Sequence, residues 1–517
     1  MTEPTAGLAF ETTPLAGGLP PDPGRLEAAR AMRLSPDLRA AFLAQGAARE
    51  NLDRLFQGAL CVTTGQQPGL FTGALYSVHK ALTAVALARV LTHRLGQAVV
   101  PVFWVAGDDH DFSEGNQTHV LSASNEVQPL LLRERDAAAP STPLYQEPVG
   151  SDITRLFDAL RSILPDTEFR PAVLEWLERH YRPETDLASA FAQALSELLG
   201  PVGLVVLQPT HAAAKRAMTP WLLRVLEQAG PLQDALVKRA GELQDAGRPA
   251  PVAVGDGATM VMIEGRLGRD RLLLDGGAYV SRRAGERWSA VELQRLAAEQ
   301  AQRLSPNVLA RPAIEAAILP TIAYVGGPGE LAYLPQAAPV YHALGIPAQA
   351  AVPRWSGRVM EPRVRKLLEK YRIAPDDLNQ PEGKLEASLV AEGLPGAARE
   401  AIAALRAAHT NEYQRLAEAA AAVDPTLRKP VESAKNAALG GLADIERRLV
   451  GHLKKQNEIL LQQVDKARRN LFPLGTPQER VFNVTTYTVR YGGAFVEGVL
   501  AACGAHATAL ESLFPQV

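Results

Sequence analysis

Asp108-Asp109-His110-Asp111 is the densest cluster of reactive groups in this 517-residue chain. Carboxyls and an imidazole this close together suit Mg²⁺, sugar hydroxyls or an ammonium group, or the movement of protons. A plainer reading, a helix N-cap with acidic residues in its first turn, accounts for Asp108 and Asp111. It leaves Asp109 and His110 unexplained. Zinc fits poorly, because His119 lies nine residues beyond His110 and no cysteine is near.

A second stretch, VTTGQQPGLFTG (62–73), spaces Gly65, Gly69 and Gly73 four apart. Pro68 argues against a helix through the run, so it reads as a loop. Glycines there can take positive φ and bring backbone N–H groups close to a ligand. It is not a P-loop, since no Gly-Lys-Ser/Thr follows, and it is not GxGxxG. A ligand cradle and a tight structural turn both satisfy the pattern, and the amides of Gln66 and Gln67 tilt it toward recognition. Thr64, Gly65, Gln66, Gln67, Gly69 and Thr72 are therefore expected to bind an anion or substrate.

Beyond this loop, Thr72, Tyr76, His79, Lys80 and Thr83 fall on one helical stripe, with Leu75, Val78, Leu82 and Val85 on the apolar side. A solvent-facing polar stripe explains the pattern simply. However, His79 and Lys80 lie within two turns of the glycine loop, and the helix N-terminus adds a positive dipole end. A third turn, Gly326-Gly327-Pro328-Gly329-Glu330, follows the apolar run ILPTIAYV, with Tyr333 one turn later. In VPRWSGR, Arg354 and Arg358 offer bidentate contacts to phosphate or carboxylate. His79, Asp109 and Asp111 are the expected catalytic groups. Tyr76, Lys80, Asp108, His110, Gly326, Gly327, Glu330, Tyr333 and Arg354 are expected to bind.

These residues need a framework. GALCVTT reads as a short buried strand, ALYSVHKALTAVALARVLTHRLG as a helix ending at Gly96, and QAVVPVFWVAG as a second strand. That is a βαβ unit, so the fold is expected to be α/β, with a parallel sheet covered on both faces. The glycine loop and the acidic cluster then sit at the carboxyl ends of strands, where open α/β sheets bind ligands. Residues 201–226 repeat strand and helix, residues 252–285 read as an antiparallel meander, and residues 310–334 as helix, strand, glycine turn and helix. An amphipathic helix is expected around Leu38–Leu52.

From about residue 385 the composition shifts to Ala, Glu, Arg and Leu. One helix is expected over 396–423, broken by Asp424-Pro425, and a longer one over 427–470. In the second, Leu442, Ile445, Leu449, Leu453, Leu460, Val464, Ala467 and Leu471 form a seam that polar Gln456 interrupts. This predicts an antiparallel coiled-coil hairpin, and with it a homodimer. The expected organisation is a core over 1–375 with insertions near 125–200 and 230–305, a helical domain over 385–475, and a segment 476–517 returning to the core.

Net charge is −2, from 54 basic and 56 acidic residues. That gives no long-range attraction for nucleic acid or anionic lipid, leaving small molecules or proteins as partners. Apolar content of 47% and charged content of 21% describe a folded, soluble chain. Cys61 and Cys503 build no disulfide framework and lack metal-ligand spacing. The first residues carry no basic n-region or apolar h-region, and no run approaches about 18 uninterrupted apolar residues. A cytoplasmic location is expected.

TTGQQPGLFTG with Tyr76, His79 and Lys80, then PVFWVAGDDHDF, SPNVLARP, GGPGELAY, VPR and PQERVFNV resemble the bacillithiol biosynthesis cysteine-adding family, in the family's order over nearly the whole chain. The notable polar departure is Ala310 in SPNVLARP, where a hydroxyl is expected. The resemblance implies a Rossmann-like core with inserted connecting segments and an α-helical coiled-coil domain, similar to class I nucleotidyl-transferring enzymes. Gly65 to Gly73 plus His79 would occupy the place of that class's phosphate-holding HxGH helix, although no true HxGH is present. The implied reaction joins the cysteine carboxyl to the amine of glucosaminyl-malate. Adenine nucleotide, ATP or ADP with Mg²⁺ as a companion, is implied near the coiled coil, leaving the core pocket to the amino sugar. A free carboxylate is a poor electrophile, so an adenylate or acyl phosphate is the expected intermediate. The loop amides and His79 would then stabilise charge on phosphate or malate, while Asp109 and Asp111 hold hydroxyls or take a proton from the ammonium.

Overall fold

Six strands build the main sheet: Phe42–Leu43 (β1), Leu60–Gln66 (β2), Val99–Val105 (β3), Val205–Leu207 (β4), Thr321–Gly326 (β5) and Ala350–Pro353 (β6). Their order is β6-β5-β2-β3-β4-β1, parallel throughout except for β1, which pairs antiparallel with β4 at the edge. The period-two alternation of the strands feeds two cores. Leu60, Val62, Phe103 and Val105 enter one, and Cys61, Val100, Val102 and Trp104 enter the other. This is the Rossmann-like α/β sheet expected from the sequence, buried on both faces because helices cover both.

The connections decide where a ligand can sit. From β2 the chain passes through Leu75–Leu95 (α1) to β3 on one side, and it later returns to β5 on the other side of β2. The carboxyl ends of β2 and β5 thus flank a topological switch point, the place where such sheets open a crevice. Ala212–Glu227 (α2), Arg311–Ile318 (α3) and Pro328–Tyr333 (α4) follow in the chain, and α4 begins directly at the end of β5. The expected meander is present as Ala258–Gly265, Gly268–Asp275, Ala278–Ser281 and Arg287–Trp288, with Leu304–Pro306 on its other edge.

Helix α1 departs from the expectation of a wet polar face. His79, Lys80 and Thr83 are as buried as its leucines, because the sheet lies on one side and the carboxy-terminal helix Gly493–Leu510 covers the other. That covering helix is the one described helix long and apolar enough to cross a membrane by length and composition alone. Here Phe495, Val499, Cys503 and Ala507 join the core instead. Residues 38–52 also differ from the single helix expected. Pro36–Ala41 is a 3₁₀ turn, β1 follows, and the helix is Ala48–Phe56. Edge pairing of Phe42 and Leu43 with β4 and the left-handed Gly46 (φ 53°) break the run.

The structure, a computed structural model, describes residues 7–136, 139–392 and 395–514. It divides into two units, Met1–Glu361 with Pro477–Val517, and Pro362–Thr476. In the second, Gly396–Val423 and Arg428–Gln456 pair as a helical hairpin tied by an Arg406–Glu446 ion pair at 2.6 Å. Asp424 caps the turn by accepting the Thr426 N–H at 2.8 Å. The long helix expected over 427–470 is interrupted. Asn457 leaves helical geometry and its Nδ2 donates to the Leu453 carbonyl at 2.9 Å, so Glu458–Leu471 starts anew. Of the seam, Leu442, Val464 and Ala467 are buried whereas Ile445 and Leu449 are exposed; the side chain of Gln456 lies outside the described residues.

Candidate active site

At the switch point a cleft of about 1110 Å³ opens, floored by the ends of β2 and β5 and walled by residues 106–110 and the meander. It gathers Gly65, Gln66, Gln67, Tyr76, Lys80, Asp108, Asp109, His110, Gly327, Glu330, Tyr333 and Arg354 from all three suspected turns. Thr64, Gly69, Thr72, His79, Asp111 and Gly326 do not line it.

The floor is an ion network. Lys80 Nζ donates to the Gly65 carbonyl at 2.5 Å and to Gln66 Oε1 at 3.1 Å, and it meets Glu330 Oε2 at 2.5 Å. A lysine ammonium has three donors, and all are engaged, so Lys80 stitches β2 to α4 rather than offering a free charge. Burial lowers its basicity, and Glu330 opposes that effect. Glu330 in turn accepts from the Tyr324 hydroxyl and from the Gly327 N–H at 2.8 Å. Burial raises its carboxyl, but Lys80 and the Gly327 amide hold it below the usual range. Thr64 serves the same floor by donating to the Val325 carbonyl at 2.8 Å.

The glycine loop resolves toward a structural turn. A Cβ on Gly65 would stand 2.8 Å from the Trp104 carbonyl, and one on Gly69 would stand 2.8 Å from Gly73 Cα. Phe71 and Thr72 both take left-handed φ (53° and 73°), which needs outside support. Tyr181 supplies it by accepting the Thr72 N–H at 2.8 Å, as does Asn483, whose Nδ2 donates to the carbonyls of Phe71 (2.6 Å) and Gly73 (2.8 Å). The Leu75 N–H at the start of α1 donates to the Phe482 carbonyl. The loop amides expected to cradle an anion are thus committed within the fold at residues 72, 73 and 75.

His79 lies beneath the cleft. Its Nδ1 faces Glu479 Oε2 at 3.1 Å, its ring meets Trp355 edge-on at 4.7 Å between centroids, and the side chain is fully buried. Glu479 also accepts both Arg354 Nη groups, at 2.9 and 2.6 Å, and the Ser356 hydroxyl at 2.8 Å. Burial would raise the Glu479 carboxyl, yet hydrogen bonds from His79 and Arg354 hold it far below the carboxylate range. His79 thus touches the cleft through Glu479 and Arg354. The sequence placed it beside the ligand because a helical stripe does not say which side the sheet takes.

The acidic cluster divides its labour. Asp108 is buried against Lys215 at 2.5 Å. Asp111 caps the short helix Phe112–Gly115, accepting Ser113 Oγ at 2.6 Å and the Glu114 N–H at 3.1 Å, and it does not line the cleft. Asp109 and His110 remain on the cleft, side by side, both partly exposed. The plainer reading of the motif was therefore right for Asp111, while a buried ion pair accounts for Asp108.

Two family models match successive parts of the chain. Residues 33–355 match "Bacillithiol biosynthesis BshC, N-terminal Rossmann-like domain", and residues 358–510 match "Bacillithiol biosynthesis BshC, C-terminal coiled-coil domain". The chain belongs to the BshC family. A relative from Koribacter versatilis is 32% identical over 88% of this chain and 84% of its own. One from Salinibacter ruber is 34% identical over 85% and 80%, and one from Bacillus cytotoxicus 27% over 87% and 84%. Each is named "Putative cysteine ligase BshC".

Several cleft residues of this BshC-family chain escaped the sequence reading. Arg311 is half-buried at the floor, bonded to Glu315 Oε2 at 2.7 Å and lying over the Tyr324 ring at 4.8 Å. It stands inside the quoted motif SPNVLARP, but nothing in its spacing marks it. Ala310 in the same motif needs no hydroxyl here, because Asn307 Oδ1 accepts the Leu309 and Ala310 N–H groups at 3.0 and 2.9 Å. Arg269, Arg271, Arg282 and Arg283 come from the meander and Arg480 from the PQER motif. The side chains of Arg271, Arg282 and Arg480 have no hydrogen-bond or ion-pair partner among the described residues. Among those residues no group of three or more His, Cys, Asp or Glu gathers as a metal site.

Proposed function

We propose that this chain performs the last step of bacillithiol biosynthesis, joining the cysteine carboxyl to the amine of glucosaminyl-malate. The observation that carries this reading is the division of the cleft. Its lining includes Asp109 and His110, suited to an ammonium, and the unpartnered arginines Arg271, Arg282 and Arg480, suited to the malate carboxylates. Family membership supplies the class of reaction.

Amide formation needs an activated carboxyl, so ATP forms an acyl phosphate or adenylate of cysteine. Mg²⁺ would accompany the nucleotide and offset phosphate charge, as a cation that binds through substrate phosphates does. Gln66, Gln67 and Tyr76 orient the sugar. Asp109 holds its hydroxyls or steadies the ammonium, and Arg354, held by Glu479, positions the floor beneath them. The helical unit holds adenine nucleotide. Its exposed Leu405, Leu416, Ile445, Leu449 and Ile459 support pairing with a second copy of the chain. Two buried free cysteines fit a reducing, cytoplasmic setting.

The test is mass-spectrometric detection of bacillithiol after incubation with cysteine, glucosaminyl-malate and Mg-ATP. Product should require all three. A panel of other amines separates substrates, and absence of any amide product with every amine sinks the reading.

A further inference from the structure

We propose that His110 is the proton acceptor for the amine substrate: its Nε2 takes a proton from the ammonium while Asp109 steadies the imidazolium from the other edge of the ring. This rests on reading the cleft as an amide-forming site.

The geometry begins with Asp109. Its Oδ1 accepts the His110 N–H at 2.7 Å and the Asp111 N–H at 3.3 Å, which fixes the carboxylate. His110 Nδ1 lies 3.9 Å from that oxygen, sealed from solvent and without a hydrogen-bond partner. The side chain is nonetheless 36% exposed and lines the cleft. The ring is therefore wet at its other edge, where Nε2 has no partner among the described residues. A proton on Nδ1 directed at Asp109 sets the tautomer, leaving the Nε2 lone pair open to substrate. A gap of this size is what ligand-free acid–base pairs commonly show before substrate tightens them.

The other acidic groups of the cleft are occupied. Asp108 pairs with Lys215, Glu330 with Lys80, and Asp270 accepts the N–H groups of Arg271, Arg283 and Ala284. Charges facing His110 come from both walls. Burial holds the imidazole below the usual histidine value, Arg269 and Arg283 of the meander push the same way, and Asp109 and Asp111 oppose them. The net direction favours the neutral ring, the form that accepts a proton.

The ammonium gives one proton to Nε2 and becomes an amine. Its lone pair attacks the acyl carbon of the activated cysteine, an acyl phosphate or acyl adenylate. The C–N bond forms as the bond from acyl carbon to phosphate oxygen breaks, and that oxygen leaves with the electron pair. The remaining extra proton on nitrogen passes to solvent.

The experiment compares wild type with His110→Gln and His110→Ala in the ligation assay across pH. The expected result is a fall in kcat of about 10²–10³-fold, the range of a lost general base, with KM for the amine within about threefold. The acid limb of the wild-type pH–rate profile should vanish in both variants, and added imidazole should partly restore His110→Ala. A thermal melt near that of wild type confirms that the variants fold. A His110→Gln enzyme with wild-type rate and an unchanged acid limb overturns the proposal. Should wild type form no amide with any amine, the functional reading fails by itself. His110 is then judged by NMR: its imidazole resonance, assigned by its loss in His110→Gln, must shift on adding glucosaminyl-malate. An unmoved resonance overturns the assignment.

Discussion

The floor and the rim of the cleft are both rich in cations, but they stand in opposite electrostatic states. On the floor, Lys80, Arg311 and Arg354 are each bound to a carboxylate of the fold, half-buried Glu330 and buried Glu315 and Glu479 respectively. On the rim, Arg271, Arg282 and Arg480 are exposed and lack such partners among the described residues. A cation whose donors are satisfied inside the protein positions the backbone. A cation with free donors is available to a ligand. Residue type alone does not separate the two, and the sequence reading nominated Lys80 and Arg354 as anion binders while passing over the rim.

The sharpest way to break this contrast is to remove Glu479. Glu479→Ala takes the carboxylate partner from Arg354, leaving only the Trp355 carbonyl at 2.9 Å on one Nη group, and takes the partner of His79 Nδ1, in a buried site. Removing one partner of a buried pair costs about 3–5 kcal/mol. Urea unfolding should show a loss of that order, together with weakened ligation. A change below about 1 kcal/mol would mean that the Glu479 network does not hold the floor together.

A smaller effect follows from acid. The folded-state pKa of Glu479 is depressed, so the unfolded chain binds its proton more tightly, and stability falls as pH drops below the ordinary glutamate value of 4.5. Glu330 has the same sign. Melting temperature should therefore decline on acidification through the range below pH 4.5, and Glu479→Gln should show a shallower decline. Parallel curves would assign the acid sensitivity to other carboxylates.

How far the sequence reached follows from the same physics. Strand order was accessible in outline because β2 and β3 are continuous apolar runs joined by one helix, and the switch point follows from that connection. The glycine loop was undecidable from composition. Gly65 and Gly69 are required by backbone contacts with Trp104 and Gly73, which are set by pairing partners 39 residues and four residues away. His79 was misplaced because burying α1 on both sides depends on the helix Gly493–Leu510, more than 400 residues later. The break at Asn457 went unseen because a polar residue in a charged helix looks like any other surface position. The rim arginines were invisible since only the fold of the meander carries residues 269–283 to the mouth of the crevice.

The finest test lies on that rim. Arg282→Ala removes an exposed guanidinium with no internal partner, so stability should stay within about 0.5 kcal/mol of wild type. Its contribution to the substrate is a screened, solvent-facing contact. The expected change is therefore a KM for glucosaminyl-malate raised about three- to tenfold, with kcat unchanged, as befits uniform binding. Because the Debye length shrinks from about 10 Å at 0.1 M salt to about 3 Å at 1 M, the gap between variant and wild type should narrow as salt rises. Steady-state kinetics at both salt concentrations decide it. A destabilised variant would place Arg282 with the floor cations, and an unchanged KM at low salt would take the rim out of substrate binding altogether.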